Sequence, residues 1–116
     1  MLVKATREGL VGQRTKSGWL IDVTTPYVAL PSDAALHLWV IVTNPANFKS
    51  IKAVVLDVGP WNEHDTPYVF QGARPHAESG VDQFGRKTNG AGIDLGELVW
   101  RTLELTDNSE VEWEFL

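Results

Sequence analysis

Apolar positions along this chain come in short runs, broken by turn residues about every eight to twelve positions. That rhythm is the signature of an all-β barrel or sandwich. Leu2–Arg7 reads as a strand, and Trp19–Val23 as a second. Val28–Leu30 predicts a short strand before Pro31. His37–Thr43 carries Leu, Trp, Val and Ile toward both faces, which predicts a strand buried on both sides. Asn44-Pro45-Ala46-Asn47 is a turn, and Ile51–Val58 a further buried strand. Glu110–Leu116 alternates Glu with Val, Trp and Phe, so it has one wet and one buried face. From Gly59 to Gly92 the pattern dissolves into a long loop, with Tyr68–Phe70 as a short strand inside it. Loops this long in small domains are commonly functional. One helix is predicted, because Leu95, Leu98, Val99 and Leu103 fall on one face. Asp94 or Gly96 would cap it, and with Asp94 as the cap Glu97 completes a capping box.

The chain of 116 residues suffices for one domain, residues 1–116, and not for two. With 43% hydrophobic and 22% charged residues it can bury a core. A net charge of −5 argues against a nucleic-acid partner. Bases cluster early (Lys4, Arg7, Arg14, Lys16) and acids crowd the last quarter. Cysteine is absent, which removes disulfides, thiol nucleophiles and thiolate metal sites. No apolar run reaches the length of a membrane span. The opening Met1-Leu2-Val3-Lys4 is not a signal peptide. The compartment therefore stays open: cytosolic or phage-associated as the sequence stands, periplasmic or secreted if a leader was removed. A monomer is expected.

Two apolar runs each lead into an acid: Val54-Val55-Leu56-Asp57-Val58-Gly59-Pro60 and Gly92-Ile93-Asp94-Leu95. Burial penalises a charged carboxylate and raises its pKa unless partners hold it. Such acids are either hydrogen-bonded or kept for chemistry, and two of them in a small domain suggest a shared cleft. His64, Asp65, His76 and Glu78 carry metal-binding groups, but their spacing matches no ligand motif and reads as a solvated polar loop. Neither a metal nor a cofactor is expected. No Ser-His-Asp order, P-loop or dinucleotide fingerprint stands out.

Taken in order, several segments carry a resemblance. They are Ala5-Thr6…Gly9, Gly12 through Gly18 with its Thr15-Lys16-Ser17-Gly18 turn, Ala29-Leu30-Pro31, Val40-Ile41-Val42-Thr43-Asn44, and the two acid motifs. The set resembles the double-psi β-barrel group of rare lipoprotein A, expansins and membrane-bound lytic transglycosylase A, across nearly the whole chain. The resemblance implies a six-stranded double-psi β-barrel with one short helix and a long loop. It implies action on polysaccharide, above all peptidoglycan glycan strands. Transglycosylase members cleave such strands, whereas expansin members loosen cell wall without evident hydrolysis. Asp94 corresponds to the group's catalytic acid and Asp57 to its close neighbour. Two departures stand out. Residues Trp61 to Ala91 replace a short loop, and Glu8 takes the place of a threonine. Glu8 thereby adds a third carboxylate, near where family-45 endoglucanases carry an acid.

The expected function is therefore polysaccharide cleavage, most specifically by a lytic transglycosylase with Asp94 as general acid. The alternatives are an expansin-like module that binds without cleaving, a glycoside hydrolase on the same barrel, and a structural barrel in a phage or secretion assembly. Each candidate also has a plainer role. Asp94 serves as well as a helix cap, and Asp57 as a turn acid before Gly59-Pro60. Glu8 is a water-activating base or a solvated strand end. Trp61, next to Pro60, and Tyr27 offer faces on which sugars stack, whereas Trp19, Trp39, Trp100 and Trp113 read as core. His64 and Asn89 are candidate hydrogen-bonding partners of substrate. The glycines around Asn89-Gly90-Ala91-Gly92 bring backbone close to a sugar or simply make a turn.

Overall fold

The computed structural model describes residues 1–116. Six strands close into a barrel: β1 (Leu2–Arg7), β2 (Tyr27–Leu30), β3 (Trp39–Thr43), β4 (Ser50–Val58), β5 (Ile93–Leu95) and β6 (Ser109–Phe115). Around the wall they run β1-β5-β2-β4-β3-β6. β1 pairs with β5, and β2 with β4, in parallel. The remaining neighbours are antiparallel. Two parallel pairs held within an otherwise antiparallel closed wall make this the six-stranded double-psi barrel that the sequence suggests.

Alternation along the strands fills the interior. Val3 and Ala5 of β1, Val28 and Leu30 of β2, Val40 and Val42 of β3, Ala53 and Val55 of β4, Ile93 and Leu95 of β5, and Val111 and Trp113 of β6 are all buried in one core. β3 departs from the expectation of two buried faces. Only its alternate residues are inside, and Trp39, read as core, is 47% exposed. β4 likewise has one inward and one half-exposed face.

The predicted Trp19–Val23 strand does not join the wall. It is the return arm of a ribbon over residues 9–26, held by the Arg14–Leu20 bridge and bonds such as Thr15 N–H to Trp19 O (2.8 Å). There are two short α-helices, not one. The second, α2 (Glu97–Thr102), starts after Gly96. Asp94 lies in β5, so it is not the cap. Glu97 closes no capping box and instead pairs with Arg7 through two bonds of 2.7 and 2.6 Å. The first, α1 (Thr66–Gln71), forms where a Tyr68–Phe70 strand was expected. Pro67 in its first turn and Gly72 in the left-handed conformation at its end explain why.

The residue 61–91 excursion is thus packed structure. Its Tyr68, on α1, is buried, donating to Gly92 O (2.9 Å) and accepting from Trp113 Nε1 (2.7 Å). Gly92 is required there, because a Cβ would stand 3.0 Å from the Tyr68 hydroxyl and 2.9 Å from Pro75. That is the packing role of this glycine, rather than an approach to sugar.

Candidate functional site

The two acids share one row. Thr6 of β1 is in register with Asp94 of β5, Asp94 with Ala29 of β2, and Ala29 with Asp57 of β4. Their neighbours Ala5, Ile93, Leu95, Val28 and Leu30 point inward, so the row faces outward. Asp57 reaches it only through a bulge. Val28 pairs with Val55 but Ala29 with Asp57, leaving Leu56 unpaired. Without that extra residue Asp57 would share the parity of Val55 and point into the core. Ala29 between the acids is itself buried, so the row is covered at its middle.

The ribbon lies against this row and fixes it. Lys16 N–H donates to Asp57 Oδ1 (2.9 Å), and the Ser17 hydroxyl donates to Leu56 O (2.7 Å), securing the bulge. Val58 N–H adds a second bond to Asp57 (2.8 Å). Thr6 Oγ1 donates to Asp94 Oδ1. Burial and the neighbouring Asp57 push Asp94 up to about 6, and the Thr6 bond opposes them.

Glu8 completes the cluster. Its N–H continues the β1–β5 ladder to Leu95 O (2.9 Å), and two residues beyond Thr6 its side chain falls on the same face. Burial, then Asp57 and Asp94, push it up to about 8. Glu8 Oε2 is buried, so this strand end is not a solvated one. Tyr27 is fully buried, with the edge of Trp19 at 4.7 Å between ring centroids. Its ring is closed to a sugar, and only its hydroxyl approaches Glu8. The two influence each other's ionisation, yet Glu8 Oε2 and the Tyr27 hydroxyl are both buried without a well-formed hydrogen bond.

Trp61 and Asn89 meet, Trp61 Nε1 donating to Asn89 Oδ1 (2.9 Å). Trp61 is half-buried and lines an open cavity of about 440 Å³ with Val58, Gly59, Asn62, Glu63, Phe84 and Arg86. Gly59 sets this cavity beside one of the acids: a methyl added there would stand 4.0 Å from Asp94 Oδ2. His64 is set apart, exposed and 3.7 Å from Asp33. Of the four residues read as a solvated polar loop, Asp65 is buried. Asp65 accepts from His76 N–H (2.7 Å), and Glu78 pairs with Arg74.

Sequence reasoning missed the role of Thr6 as donor to Asp94, and of Lys16 and Ser17 as supports of Asp57. The alternation of β1 places Thr6 opposite the inward Ala5, which is the signal that was there to find. Phe84 and Arg86, the cavity's far wall, carried no signal in sequence.

Fold and site together define a double-psi β-barrel with an outward row of half-buried acids beside an aromatic-walled cavity. The chain belongs to the family described as Domain of unknown function (DUF8814), whose model matches residues 1–114. No curated protein matches it in sequence. Among solved structures, cerato-platanin 3 from M. perniciosa is similar over 100% of this chain and 94% of that one, with a TM-score of 0.59 and 12% identity. The Streptomyces papain inhibitor is similar over 100% and 93%, with a TM-score of 0.56 and 17% identity. At such identities the likeness is one of fold alone. No helix is long and apolar enough to cross a membrane.

Proposed function

We propose that the protein is an expansin-like polysaccharide-binding barrel, which lays a glycan strand between Trp61 and the acid row. The observation that carries this reading is that Gly59, in the wall of an open cavity shared with Trp61 and Phe84, stands next to the carboxyl of Asp94. Aromatic faces pack against the apolar faces of sugar rings, and carboxyl groups bond their hydroxyls. The ordered motifs shared with rare lipoprotein A and expansins support it. Co-sedimentation with peptidoglycan sacculi, cellulose and chitin tests the proposal. Retention on at least one polymer, weakened in Trp61→Ala, is expected. Retention on none would end it.

Cleavage is the second reading, favoured by one observation: two buried carboxyls whose proton affinities lie near neutrality. In that reading Asp94 gives its proton to the glycosidic oxygen as the bond to the anomeric carbon breaks. Asp57 supports the positive charge of the oxocarbenium-like state. The 6-hydroxyl of the muramic acid then bonds to the anomeric carbon and returns its proton to Asp94, leaving a 1,6-anhydro end. Mass spectrometry of sacculi after incubation separates anhydro ends, reducing ends and no cleavage. Asp94→Asn keeps an acceptor for Thr6 but carries no acidic proton, so any product formed by the wild type should vanish while the fold remains.

A further inference from the structure

The cavity beside the acids is built wholly on the far side of Gly59, from the strand end at Val58 and from the 61–91 excursion. Its charges are already spent. Arg86 Nε bonds Asp82 Oδ2 at 2.5 Å, its Nη2 donates to Trp61 O at 2.8 Å, and the Asp82 side chain is fully buried. Glu63, the other charged group in the wall, is paired with Lys16 Nζ at 2.7 Å. What the cavity offers a ligand is therefore not net charge. It offers aromatic surface: Phe84 is 60% exposed, and the Arg86 guanidinium stands 5.2 Å from its ring centre and 6.0 Å from that of Trp61. Arg86 so acts as a spacer that holds the two rings apart.

Polar groups complete the lining. Asn62 is 1% exposed, its Oδ1 accepts from Gln83 N–H (2.7 Å), and its Nδ2 donates to nothing. The volume of about 440 Å³ is within the range of small-molecule sites. Beyond Gly59 stands Asp94, whose carboxylate repels an anionic ligand when it is ionised.

We infer that this cavity is a subsite for an uncharged pyranose ring, stacked on Phe84 and Trp61, with the next sugar of the chain crossing Gly59 toward Asp94. The inference rests on the reading of the barrel as a glycan binder and adds where the ring sits and what charge it carries. Polyanionic glycans such as polygalacturonate are excluded from the track, and uncharged ones admitted.

Titration calorimetry on the whole protein tests it, with cello-, chito- and xylo-oligosaccharides as uncharged probes and oligogalacturonate as the anionic one. At least one uncharged probe should bind, and oligogalacturonate should not. Phe84→Ala should weaken binding up to about tenfold, the size of one aromatic contact. Its exposed ring predicts an unchanged melting temperature, and Phe84→Trp should retain affinity. Unchanged affinity in both Phe84→Ala and Trp61→Ala would end the subsite while leaving glycan binding by the barrel intact. Preference for oligogalacturonate would end the uncharged assignment. Binding of no probe would remove both the subsite and the reading it rests on.

Discussion

Asp57 and Asp94 pair with the same residue, Ala29, from opposite sides. Their backbones are two strand spacings apart, about 10 Å, and their side chains rise from the same face. The pairing couples the acids electrically, since Asp57 raises the pKa of Asp94.

Thr6 donates to Asp94 and so favours its charged form. Thr6→Val removes that bond at nearly constant volume. The Asp94 carboxyl should then titrate above its present value of about 6, read by carbon NMR of the side-chain carboxyl. If the barrel cleaves glycan, the alkaline limb of the pH profile should move up with it. A titration unmoved by the substitution would show that Thr6 does not tune the acid.

Glu8 binds its proton more tightly in the folded chain than in the unfolded one, where its pKa is near 4.5. Between that value and about 8 the folded state holds the extra proton, so stability falls as pH rises. One such group gives a slope of at most ~1.4 kcal/mol per pH unit. Asp94 adds the same sign between about 4 and about 6. Chemical denaturation should find the wild type more stable at pH 5 than at pH 8, and Glu8→Gln should flatten the difference. Equal slopes in both proteins would contradict the assignment.

Ser17 ties the ribbon to the bulge through Leu56 O. Ser17→Ala should cost about 1 kcal/mol, the net worth of one hydrogen bond. It should also loosen Asp57, which the neighbouring Lys16 N–H holds. Faster amide exchange at Lys16 and Val58 is the expected signature, and unchanged exchange would uncouple turn from acid.

At Gly96 an added Cβ would stand 2.2 Å from the Tyr27 ring. Gly96→Ala must displace Tyr27 or α2, and overpacking of this kind costs about 1–3 kcal/mol or more. A melting temperature equal to the wild type would mean that the contact yields freely.

Where apolar residues recur along a strand, as in β1 and β6, the sequence was enough to draw the wall. It was enough also to single out Asp57 and Asp94, because an acid inside an apolar run is conspicuous. The row that joins them was not legible. Strict alternation puts Asp57 on the face of Val55, and only the unpaired Leu56 turns it outward. Trp19–Val23 has strand-like composition, but its partner is its own ribbon, and Trp19 is spent on covering Tyr27. α1 was missed because Tyr, Val and Phe suggest a strand, although Pro67 and Gly72 mark its two ends.

The outward row and the inward core use alternate residues of the same short strands. Ile93 and Leu95 hold the barrel together while Asp94, between them, contributes nothing to its interior. A change at Thr6, Asp57 or Asp94 therefore rewrites chemistry without repacking the centre, and a change at Val28 or Leu95 does the reverse. Such a wall can exchange one task for another over evolutionary time at little risk to folding, so an inhibitor of a protease can share its architecture with a chain built around half-buried acids.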